Sequence, residues 1–164
     1  IAVPAFYLLW PKSESIAVAA LGTYEALAKS ELSPFGNEKP EELVARLVHE
    51  VGGHPHPMGY DFSGVQMHPH AGSVQEIHGR KVLVVIYRGP GGTLFCYTFA
   101  GSEADAPTHA AKFYDPAKKM NLYAFSGGPV NAVLHRENDL ICILASEMPM
   151  NDLLELTRSK ARPS

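Results

Sequence analysis

Cysteine is scarce in this chain, and tryptophan scarcer: two and one in 164 residues. Cys96 and Cys142 form no CxxC unit, which excludes a zinc ribbon. Charge is thin and mildly acidic, at −3 overall, and the bases are scattered. The densest run, Arg158, Lys160 and Arg162, lies near the C-terminus. A surface that neutralises phosphate needs clustered Lys and Arg, so nucleic acid is excluded as a partner. Also missing is any apolar stretch of the roughly 20 residues that a spanning helix needs.

Catalytic signatures are equally thin. No GxSxG elbow occurs, and neither cysteine has a histidine in a recognisable nucleophile setting. Gly89–Gly92 joins two apolar runs and is followed by no Lys-Ser/Thr, so it is no phosphate cradle. His49 and His54 stand five apart, about 140° off one helical face, which defeats a zinc-protease reading. The carboxylate pairs Glu41-Glu42 and Glu103/Asp105 read as a helix-start charge pair and a solvated loop. No enzymatic activity is expected.

What is present fits one folded domain. The length allows a core that buries about two-thirds of the unfolded surface, and apolar residues make up 46%. Ser13 or Ser15 can cap a helix through about Lys29, with Ala17, Leu21, Tyr24 and Ala28 on one stripe. Pro40 opens a second helix whose stripe is Leu43, Val44, Leu47, Val48 and Val51, and Gly52-Gly53 ends it. Residues 54–72 read as irregular, rich in Pro, Gly and His. Six strands follow: 73–77, 81–87, 93–100, 121–125, 130–136 and 140–146, with 101–119 as a polar loop. Their links are too short for parallel crossovers, which predicts an antiparallel β-meander. Leu140–Ala145 is apolar on both faces and predicts a central, doubly covered strand. A last helix starts at Pro149, with Met150, Leu153, Leu154 and Thr157 in register. The expected class is α+β, a single sheet with two to three packing helices.

Three features carry functional expectations. Ile1–Trp10 is free of charge, and a chain that opens on Ile is expected to continue a longer one. Residues 1–12 read as the C-terminal end of a transmembrane helix, with Tyr7 and Trp10 at the interface and Lys12 beyond it. Residues 13–162 then form an extracytoplasmic domain; the competing reading is an apolar arm packed on its own domain. Cys96 and Cys142 each sit in an apolar strand. They are either buried thiols acting as small hydrophobes or an interstrand disulfide, which an oxidising compartment permits. Two His-Pro-His units, His54-Pro55-His56 and His68-Pro69-His70, each have a methionine neighbour, Met58 and Met67. Imidazole with thioether suits copper, and imidazole alone zinc, so His54, His56, His68 and His70 are the candidate metal ligands. The alternative is a polar loop with no cofactor, packing on a partner or on the domain.

The hairpin Gly79-Arg80 … Ile86-Tyr87-Arg88, then Asn121-Leu122-Tyr123, then Ala145-Ser146-Glu147-Met148-Pro149 with Leu153-Leu154, resembles the extracytoplasmic domain of bacterial transmembrane anti-sigma factors. The likeness covers about residues 40–160. It implies one membrane helix just upstream in a bacterial inner membrane and a domain facing the periplasm. It also implies a cytoplasmic segment that holds a sigma factor, with protein partners at the membrane. Occupancy of the domain would then change the stability of the anchor or its exposure to proteolysis. A second expectation is an accessory subunit of a membrane complex, with Ala17, Leu21 and Tyr24 as its interface.

Overall fold

Alternation sets the sheet and helical spacing sets what covers it. The computed structural model describes residues 14–29, 39–50, 62 and 64–159. Among the described residues four helices, α1 (Ile16–Gly22), α2 (Tyr24–Lys29), α3 (Pro40–Glu50) and α4 (Met150–Arg158), accompany seven strands. These are β1 (His68–Ile77), β2 (Arg80–Gly89), β3 (Gly92–Ala100), β4 (Ala111–Asp115), β5 (Met120–Gly127), β6 (Val130–Glu137) and β7 (Leu140–Ser146). All pair antiparallel in one sheet, in the order β1-β2-β3-β7-β6-β5-β4. The α+β antiparallel sheet expected from the sequence is present.

Its meander comes in two parts. β1–β3 form one; the chain then crosses to the far edge, and β4–β7 return until β7 pairs with β3. The β3–β7 ladder, Leu94↔Ser146 through Ala100↔Leu140, is the seam between the parts. β7, fourth of seven, is buried along its whole length, as its two-sided apolar sequence predicts. The β1–β2 turn needs two left-handed residues, and His78 and Gly79 supply them at φ 50° and 74°.

Opposite faces of the inner strands feed two cores. Val84, Ile86, Phe95, Tyr97, Leu134 and Ile143 face α1 and α2. Leu83, Val85, Leu94, Cys96, Val133 and Leu144 lie in the other core with Leu47 of α3 and Leu153 of α4. The fold is thus a sheet between two helical layers, both of which remove apolar surface from water.

The first helix is capped by Ser15, whose hydroxyl accepts from the Val18 amide at 3.2 Å. It is interrupted at Thr23, whose hydroxyl donates back to the Ala20 carbonyl at 2.7 Å. Thr23 also shares a hydrogen bond of 3.2 Å with the buried Tyr97 hydroxyl, and Tyr24 stacks on Phe95 with ring centres 4.3 Å apart. Ala17, Leu21 and Tyr24 are only 0, 7 and 5% exposed. The apolar stripe expected to serve as a subunit interface is instead core, because the helix lies flat on the sheet.

Two segments read from the sequence as irregular are strands. His68–Gly72 begins β1 despite Pro69, because β1 is an edge strand and a register shift falls between Pro69 and Ala71. Ala111–Asp115, inside the expected polar loop, forms the opposite edge, with all but Asp115 exposed. No described helix is long and apolar enough to cross a membrane; residues 1–12 lie outside the described residues.

Candidate functional site

Of the four histidines singled out by the sequence, His68 and His70 are placed and His54 and His56 lie outside the described residues. His68 sits opposite Arg88 in the β1–β2 register. The shift after Pro69 turns His70 to the same arginine, whose Nη1 lies 2.9 Å from His70 Nε2. Guanidinium has only donors, so Nε2 accepts this bond with the lone pair a metal would use. Among the described residues no group of three His, Cys, Asp or Glu is disposed to hold a metal ion.

Glu103 and Asp105, expected in a solvated loop, fasten the crossing between the two meanders. Arg80 Nη1 and Nη2 donate to the two Asp105 oxygens, both at 2.9 Å, and the Ser102 amide donates to Oδ2 at 2.9 Å. Ser102 and Asp105 form a reciprocal cap on the short 3-10 turn Glu103–Asp105. The hydrogen bonds from Arg80 hold the Asp105 carboxyl below its usual range. Glu103 accepts from the Tyr123 hydroxyl at 2.8 Å and from Asn121 Nδ2 at 3.2 Å, tying the same turn to β5. Burial works against the Glu103 charge, yet these bonds, with Lys112 and Arg136 nearby, keep its pKa low. Burial, then the bond to Glu103, pushes the Tyr123 phenol up to about 12. Every one of these groups is spent on another protein group, so the set is a fastening.

A second polar set is sealed in the core beside α4. Cys96 and Cys142 are 1 and 0% exposed, with their sulfurs 3.2 Å apart. Thr98 stands opposite Cys142 across the seam, and buried His135 stands opposite it on β6. Burial drives the Cys142 thiol well above its usual pKa and the Cys96 thiol adds to this, while a hydrogen bond with His135 opposes it. No disulfide joins the two cysteines.

An open surface cleft lies where the seam ends. The cleft, of about 690 Å³, is walled by Gly64–Met67, by the β2–β3 turn, and by the link from β7 into α4. A neighbouring hollow of about 490 Å³ shares Gln66, Met67 and Pro90 and adds Phe62 and His68. Their joint lining combines Phe62, Met67 and Met148 with several glycines, and Glu147 and Asp152 are exposed carboxylates there. The wall comes close to β2: a Cβ on Gly89 would lie 2.6 Å from the Gln66 carbonyl oxygen, which explains glycine there. At the floor, the Ser146 hydroxyl donates to the Thr93 carbonyl at 2.7 Å, joining the two meanders. Sequence reasoning missed the cleft because three segments far apart in the chain build it.

No family model matches the chain, and neither a curated protein nor a solved structure matches it.

Proposed function

We propose that this chain is a non-enzymatic extracytoplasmic sensory or interaction domain. Ile1–Trp10 tethers it to a bacterial inner membrane, in a regulator of the anti-sigma type. The observation that carries this reading is the seating of α1. The helix begins six residues after Trp10, and its Ile16, Ala17, Ala20 and Leu21 are buried against the sheet. A change in the sheet would reach the tether across the five residues between Trp10 and Ile16. The groove at the seam is the natural place for an occupant, since its walls belong to both meanders. An occupant signals only through different affinity for two states of the domain.

Two measurements test the proposal. The 164-residue chain should sediment with vesicles of phosphatidylethanolamine and phosphatidylglycerol, whereas a Leu8→Asp/Leu9→Asp variant should stay in solution. In cells, Glu147→Lys/Asp152→Lys reverses the groove's charge at two exposed positions and should shift a coordinated set of transcripts. An unchanged transcript profile would sink the regulatory reading, and equal sedimentation of both chains would sink the tether.

A further inference from the structure

We propose that Cys96 and Cys142 form a redox couple that closes into a disulfide across the β3–β7 seam. The inference rests on the core geometry and is independent of the regulatory reading. Cys96 lies opposite Leu144 and Cys142 opposite Thr98, so the cysteines are diagonal neighbours on one face of the sheet. Sheet twist shortens one of the two diagonals between paired strands. A sulfur separation of 3.2 Å identifies this pair as the short one. That distance is already inside the ~3.5–4.0 Å at which unbonded carbon atoms rest. Closing it to the ~2.05 Å of a disulfide asks for about 1 Å of side-chain movement. A metal bridge is disfavoured, because His135 and the two thiols are not disposed as a ligand set.

The chemistry is thiol–disulfide exchange with a small-molecule disulfide, RSSR. One cysteine thiolate attacks RSSR, forming a mixed disulfide and releasing RS⁻. The second thiolate attacks the cysteine sulfur of the mixed disulfide and releases the second RS⁻. The two thiol protons end on two RSH, and two electrons pass from the protein to RSSR. Both sulfurs are sealed from solvent and burial disfavours the Cys142 thiolate, so exchange is slow in the folded state. It belongs to the folding chain, before β7 docks on β3. The bond would lock the seam and so fix the two meanders to each other.

The test is to refold the whole chain from guanidinium chloride in oxidised and reduced glutathione. The expected product is 2 Da lighter and yields a linked Cys96–Cys142 peptide on non-reducing digestion. Its thermal midpoint should stand about 10 °C above that of the dithiothreitol-reduced protein. Cys96→Ala, refolded alongside, should show no dependence of its midpoint on the glutathione ratio. Two alkylatable thiols after oxidising refolding, or glutathione adducts without a link, would overturn the proposal. So would a linked form less stable than the dithiol, or a Cys96→Ala midpoint that tracks the glutathione ratio as the wild type does. The peptide map needs only the wild-type chain, so it decides the matter even where the variant does not fold.

Discussion

Removing the Asp105 carboxylate should release the crossing that joins the two meanders. Asp105 accepts three hydrogen bonds of 2.9 Å, two from Arg80 and one from the Ser102 amide. Hydrogen bonds to a charged group contribute about 1.5–3 kcal/mol each. The Arg80 side chain is 43% exposed, however, so solvent screening cuts the ion pair to about 1 kcal/mol even with its bidentate geometry. Loss of the cap on the 3-10 turn adds about 1 kcal/mol. Asp105→Ala should thus cost about 2 kcal/mol, or a fall in Tm of about 4–8 °C for a chain of this size. Arg80→Ala should cost about 1 kcal/mol, and the double variant should show about 1 kcal/mol of coupling in urea denaturation. The acid limb of the stability curve gives a second reading. The folded pKa of Asp105 is depressed. Its contribution is therefore complete above the unfolded value near ~3.9 and is lost as pH falls through the folded value. Asp105→Asn should flatten that limb while leaving the curve above pH ~5 parallel to wild type. A coupling under about 0.3 kcal/mol, or an acid limb unchanged in Asp105→Asn, would refute the fastening role.

Two further predictions concern packing. Leu153 of α4 is fully buried, so Leu153→Ala should cost about 2–5 kcal/mol in urea denaturation; a cost under 1 kcal/mol would mean that α4 does not hold that face. A Cβ on Gly101 would strike the Asp105 carboxylate and crowd Arg80 Nη1 and Ile141. Gly101→Ala should therefore destabilise by about 1–3 kcal/mol and add little to Asp105→Ala, because both break the same fastening.

The sheet was legible where its strands are long and doubly apolar. Val82–Tyr87, Leu94–Phe99 and Leu140–Ala145 alternate so that each face meets a helical layer, and the short turns between neighbours force antiparallel pairing. Edges were not legible. β4 buries only Asp115 and therefore carries no apolar alternation, and Pro69 in β1 argues for a loop unless the strand is known to lie at an edge. Ser15, one of the two caps the sequence offers, starts α1, but the break at Thr23, where the hydroxyl bonds both the Ala20 carbonyl and Tyr97, was not foreseen. The fastening by Glu103 and Asp105 depends on where a ten-residue crossing lands, which local composition does not encode. Proximity of Cys96 to Cys142 likewise follows from the β3–β7 register, a pairing of residues 46 apart.

That long-range seam also sets a timetable for synthesis. β1, β2 and β3 can pair as soon as they leave the ribosome, yet the free side of β3 has to wait for β7. At about 5–20 residues per second, the 46 positions from Cys96 to Cys142 take roughly 2–10 s to appear. For that interval the nascent chain offers the open edge of an apolar strand, Leu94–Phe99, to any neighbouring polypeptide. A ribosome stalled before Leu140 would release a product with that edge permanently open. Holdase chaperones should bind such truncated products far more strongly than the finished chain.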